Sequence, residues 1–176
     1  MATCHALAAR GHDVVLVARA DTASPPRDAF EYYGFPRQAG LRIETMAGPR
    51  SPRARRVRFM LGALKRMITS HADVVYTRDL GLATFLLQWP AAWRPPVVYE
   101  SHGVSVIVSA EMATLLGKPE LAPSRRKLQR LDDQERRVWQ RAGAYVTITQ
   151  TLRDELTSRY GPRARVFVVP DGASLR

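Results

Sequence analysis

The chain has 176 residues, about one ordinary domain, and its 45% hydrophobic and 24% charged residues exclude wholesale disorder and a fibrous repeat. No apolar stretch approaches the roughly 20 residues a membrane span needs. Arg10 and Asp13 stand where the apolar core of a secretion signal would lie. The single cysteine, Cys4, excludes an intrachain disulfide framework and a zinc site built on paired thiolates. Together these features fit a reducing cytoplasm. The charge is +11, from 27 basic and 16 acidic residues, and only three of the basic residues are lysine (Lys65, Lys118, Lys127). A nucleic-acid binder or a protein at an anionic surface is basic in this way. A GC-rich genome also produces an arginine bias of this kind.

In chain order, residues 2–10 (ATCHALAAR) read as the back of a helix running into the turn Gly11-His12. Residues 13–18 (DVVLVA) are the first β-branched run, and residues 41–46 (LRIETM) a weaker one. Residues 49–69 carry seven bases (Arg50, Arg53, Arg55, Arg56, Arg58, Lys65, Arg66) and no acid. Within them Val57, Met60, Leu61, Leu64, Met67 and Ile68 recur at helical spacing, which predicts an amphipathic helix from Arg53 to Thr69 with a cationic face. Further strands are predicted over 73–77 (DVVYT), 96–100 (PVVYE), 144–149 (AYVTIT) and 165–169 (RVFVV). Between them, residues 124–141 read as a second helix capped by Ser124, with Leu128, Leu131, Val138 and Ala142 on one stripe. Glu135 interrupts that stripe and is expected to be a partly buried partner for an arginine.

Near-continuous apolar strands alternating with helices predict an α/β fold with a doubly wound, mainly parallel, Rossmann-like sheet. In such a sheet strand ends and helix starts share one rim, where ligands bind. The polar residues falling on it are Arg78 and Asp79 after the third clear strand, Glu100, Ser101 and His102 after the fourth, Thr149 after the fifth, and Asp171 and Gly172 after the sixth. Arg125, Arg126 and Arg130 begin the helix at the rim and could attract a phosphorylated group. Each has a plainer reading as well. A strand-end histidine can satisfy backbone groups, Arg78 can pair with Asp79, and Thr149 stands where a hydroxyl caps the next helix. His5, His12 and His71 read as structural or exposed. There is no G-x-G-x-x-G, Walker loop, H-E-x-x-H, G-x-S-x-G or C-x-x-C.

The ordered set ALAARGHDVVLVA (6–18), DVVYTR (73–78), VVYESHG (97–103), AYVTITQTLRDEL (144–156) and VVPDGAS (168–174) resembles the N-terminal half of a family-4 glycosyltransferase with the GT-B fold. Asp171 and Ser174 depart from the family's usual residues in the last piece. The resemblance implies retaining transfer of a sugar from a nucleotide-sugar to a carbohydrate or lipid-linked acceptor, with no metal cofactor. It assigns His102 to contact with the reacting centre and the Arg78–Asp79 loop to the acceptor pocket. It also implies a domain over residues 1–170 that lacks its first strand and Gly-rich loop, with residues 171–176 beginning the crossing into a C-terminal donor-binding domain. On that basis the 176-residue chain is expected not to transfer sugar by itself. Such enzymes often work at the cytoplasmic face of a membrane, so the Arg53–Thr69 helix is a candidate contact with an anionic surface; its apolar face could equally cover the sheet. Another GT-B enzyme, such as a sugar-nucleotide 2-epimerase, remains an alternative. Nucleic-acid binding is disfavoured, because the basic helix offers only Phe59 for base stacking.

Overall fold

The computed structural model describes residues 1–20, 27–49 and 51–170. It is α/β with parallel sheets, the class expected from the alternation of β-branched runs and helical periods. Arg50, Asp171 and Gly172, singled out above, lie outside the described residues, as does the 171–176 segment. The chain divides into two compact units, Met1–Arg66 and Met67–Arg176.

The first unit holds α1 (Ala2–Ala9), β1 (Val14–Arg19), α2 (Ala29–Tyr33), β2 (Leu41–Met46) and most of α3 (Pro52–Thr69). β1 and β2 pair in parallel from Val14↔Leu41 to Arg19↔Met46. The run that reads as weakest in sequence is therefore fully paired. Asp28 caps α2 by accepting from the backbone N–H groups of Phe30 and Glu31. Gly34 ends that helix at φ 65°, a left-handed value that favours glycine. Ala8, Phe30 and Leu41 are buried together, with Met1, Cys4, Val14, Leu16, Phe35 and Ile43 packed around them. From Val14 to Ala18 every β1 residue is partly rather than fully buried, unlike a strand covered on both faces. α3 meets β2 at Gly62, where a Cβ would come 2.5 Å from Met46 Sδ, and through an Arg66–Glu44 ion pair.

The second unit is a four-stranded parallel sheet in the order β3-β4-β5-β6. Its elements are β3 (Val75–Thr77), α4 (Leu80–Leu86), β4 (Val97–Ser101), α5 (Ser105–Leu115), α6 (Arg125–Arg141), β5 (Ala144–Thr147), α7 (Gln150–Tyr160) and β6 (Val166–Val168). The register Tyr99↔Tyr145 brings two aromatic rings side by side at 5.2 Å. Trp139 of α6 meets the Tyr145 ring edge-on at 4.8 Å and donates its indole N–H to the Gly161 carbonyl. Leu86, Val97, Val138 and Leu156 are almost fully buried in the same unit. Arg163 closes the end of α6, donating to the carbonyls of Trp139 and Ala142, with its guanidinium 5.8 Å from the Trp139 ring. α4 and α7 are capped by Asp79 and Thr149, and α6 by Ser124, so three of this unit's helices start on a side-chain acceptor.

Candidate functional site

The register of the second unit builds a polar cluster at the carboxyl ends of β3 and β4. Thr77 pairs with Tyr99, so the next residues along, Arg78 and Glu100, come side by side. Strand side chains alternate between faces, which puts Tyr76 and Arg78 on the same side as Glu100 and His102. Glu100 is 5% exposed, and its carboxylate collects three donors. Oε1 accepts from Arg78 Nη2 at 2.7 Å and lies 2.7 Å from His102 Nε2. Oε2 accepts the Tyr76 hydroxyl. A carboxylate withdrawn from water this far is costly unless such donors surround it. Arg78 and His102 are 48% and 38% exposed, so one buried anion holds two side chains that still reach solvent.

The neighbouring residues divide between support and surface. Asp79 is turned into the fold: it caps α4 by accepting from the Leu82 N–H, while its own N–H donates to Thr77 Oγ1. Arg78 pairs with Glu100 across the two strands. Ser101 is buried beneath the rim and donates its hydroxyl to the Gly103 carbonyl at 2.9 Å. Thr149 is exposed and caps α7 through the Leu152 N–H. Arg125, Arg126 and Arg130 are exposed on the first turns of α6, and none makes an ion pair among the described residues.

Glu135 corrects an expectation. It is fully buried, and it bonds no arginine directly; its oxygens accept the backbone N–H of Ser105 at 2.8 Å and the Ser105 hydroxyl at 3.0 Å. Burial pushes its carboxyl above the usual range, and the two Ser105 bonds pull the other way. Tyr99 is raised well above the ordinary phenol, first by burial and then by the negative charges of Glu135 and Asp79. From Glu135, where it meets Ser105, α6 extends ten residues back to Arg125, about 15 Å along its axis. Arg130, five residues before Glu135, stands about 7 Å along the axis from the same contact.

Tyr76, Ser105 and the central place of Glu100 escape the sequence reading. A signal for the cluster is nevertheless present: Tyr76-x-Arg78 and Glu100-x-His102 repeat polar groups at the two-residue strand period. Among the described residues, no group of three or more His, Cys, Asp or Glu converges to hold a metal ion.

A parallel α/β unit that gathers a buried carboxylate, an arginine and a histidine at its strand ends belongs to the class of ligand-binding sheets whose chemistry lies on the carboxyl rim. Compared with known families, residues 1–172 match the glycosyl transferase 4-like domain. The chain belongs to that family, and it is a glycosyltransferase domain acting between a sugar donor and an acceptor. A search of curated proteins found no match. No helix among the described residues is long and apolar enough to cross a membrane.

Proposed function

We propose that this chain is the acceptor-side half of a retaining hexosyltransferase that moves a sugar from a nucleotide-sugar to a carbohydrate or lipid-linked acceptor, with a separate donor-binding domain completing the site. The observation that carries this reading is the Glu100 carboxylate holding Arg78 and His102 together at the rim. The His102 ring, oriented by Glu100, offers a hydrogen bond to a hydroxyl of the donor sugar. Arg78 offers a guanidinium to an acceptor oxygen, or to a phosphate where the acceptor is lipid-linked. The start of α6 supports an anionic acceptor. Arg125, Arg126 and Lys127 occupy a first turn without an acid, at the end of a helix whose dipole disfavours cations. Folding gains nothing from that placement, whereas a phosphate arriving at the rim does. No metal enters this reading.

The test is nucleotide release from a panel of nucleotide-sugars by the protein joined to its donor-binding half. His102→Ala is expected to lower turnover about 100-fold, the scale for losing one positioned hydrogen-bonding group at a reacting centre. Wild-type turnover in His102→Ala sinks the assignment. The isolated 176-residue chain is expected to be inactive, and robust transfer by it overturns the two-half reading.

A second reading concerns α3. Val57 and Leu61 are each 55% exposed and, with Ala54, Arg58, Gly62 and Lys65, line a shallow surface groove, while Leu64 is buried. An apolar stripe open to solvent beside cations is the pattern of a helix lying on an anionic membrane at the cytoplasmic face. Each well-placed cation there contributes about 1 kcal/mol. Replacing Arg53, Arg55, Arg56 and Arg58 by Gln is expected to abolish co-sedimentation with anionic vesicles at low salt. Unchanged co-sedimentation removes the membrane role.

A further inference from the structure

We propose that Glu135 is a positioning residue for the loop that carries His102; the inference rests on the reading of His102 as a contact at the reacting centre. That loop is short and pinned at both ends. On one side Glu100 and Ser101 end β4, with the Ser101 hydroxyl bonded to the Gly103 carbonyl inside the turn. On the other side α5 begins at Ser105. The residue preceding it, Val104, offers no side-chain acceptor to the first turn. The acceptor comes instead from thirty residues along the chain, as the Glu135 carboxylate of α6.

The choice of partner is what makes this more than a cap. A Ser, Thr or Asp at position 104 would cap α5 locally at little cost. A fully buried carboxylate is a costly way to reach the same backbone N–H. What it adds is a link between elements: it ties the end of the His102 loop to α6, which is itself fixed by buried Val138 and Trp139. Gly103 leaves the loop little slack, because a Cβ there would lie 2.8 Å from Val108 Cγ2 of α5. His102 is thus held through Glu100 at its ring and through Glu135 at the backbone three residues on.

The experiment is NMR on the 176-residue chain carrying Glu135→Gln, with Ser105→Ala as a second, milder variant. In Glu135→Gln the Ser105 amide proton is expected to move upfield, because its acceptor is no longer charged, and the His102 ring resonances are expected to shift with it. Amide exchange at residues 103–105 is expected to rise about tenfold or more, the scale for weakening a bond to a charged group, with β5 changing far less. Ser105→Ala gives a smaller shift of the same sign at His102, and adding it to Glu135→Gln has no further effect. His102 ring resonances that stay unchanged in Glu135→Gln overturn the proposal, and so does an exchange increase spread evenly over β4 and β5. Neither result depends on sugar transfer, so inactivity of the chain joined to its donor-binding half would count against the proposed function while leaving this inference to be decided by the His102 signals.

Discussion

The two units are built from the same α/β alternation, yet they bury different things. The first unit, Met1–Arg66, gathers its core around Ala8, Phe30 and Leu41, and among the described residues its ion pairs Arg37–Asp28 and Arg42–Asp13 each keep the arginine at least 60% exposed. The second unit, Met67–Arg176, buries Trp139, Tyr99 and Tyr145 together. Among the described residues, it also holds every buried polar or charged side chain: Thr77, Thr84, Glu100, Ser101, Glu135 and Thr147. A large, tightly packed aromatic core excludes water, and only where water is excluded does a carboxylate fix its partners' positions firmly. The candidate site therefore sits on the unit able to hold charges still.

The largest expected contrast lies in the cores. Trp139→Ala removes a ring in contact with Tyr145 together with its bond to Gly161, and should cost about 3–5 kcal/mol, opening amide exchange in β4 and β5. Phe30→Ala leaves a cavity in a thinner core that can collapse more easily, so its cost should fall at or below the bottom of that range. Equal losses in chemical denaturation would erase the distinction between the units.

Next in size is the buried charge. Glu100→Gln keeps the volume but removes the buried charge that Arg78 pairs with, and presents an amide to three donors. Transfer by the complete enzyme is expected to fall about 100-fold through misplacement of His102 and Arg78. Near wild-type turnover would show that the cluster is structural only.

The smallest contrast compares ion pairs across the units. Asp132 accepts from Arg136, Arg159 and the Tyr160 hydroxyl. Burial works to raise its carboxyl, but the bonds from Arg159 and Tyr160, with the charges of Arg159 and Arg136, hold it below the ordinary range. A carboxyl lowered on folding stabilises the protein above its unfolded value of about 3.9 and loses that contribution as pH falls through the folded value. Asp132→Asn should therefore cost about 2 kcal/mol near neutral pH, with the gap to wild type closing below about pH 4. Arg42→Gln breaks a pair whose side chains are 60% and 74% exposed, and should cost under about 0.5 kcal/mol at any pH. A pH-independent gap for Asp132→Asn, or a large loss for Arg42→Gln, would reverse the comparison.

Much of the frame was legible in the chain itself. The runs at 41–46, 96–100 and 144–149, on which β2, β4 and β5 fall, and the Ser124 cap are local signals, because period and capping depend only on neighbours in sequence. Individual site residues such as His102, Arg78 and Glu100 stand out as polar groups ending apolar runs. Their joint arrangement was not legible. Tyr76 reads as one more aromatic in a strand, and Glu135, surrounded in sequence by Arg130, Arg136 and Arg137, reads as an arginine's partner.

The sequence by itself determined the parallel α/β class, the positions of most elements and the family, since hydrophobic period and ordered motifs are properties of the chain taken a few residues at a time. Only the tertiary structure decided which carboxylates are buried and what they hold. Glu100 meets Arg78 because β3 and β4 pair in one particular register, and Glu135 meets Ser105 because α6 packs on α5. A charge's partner is set by distances across the fold, and burial in a low-dielectric core makes that partner obligatory.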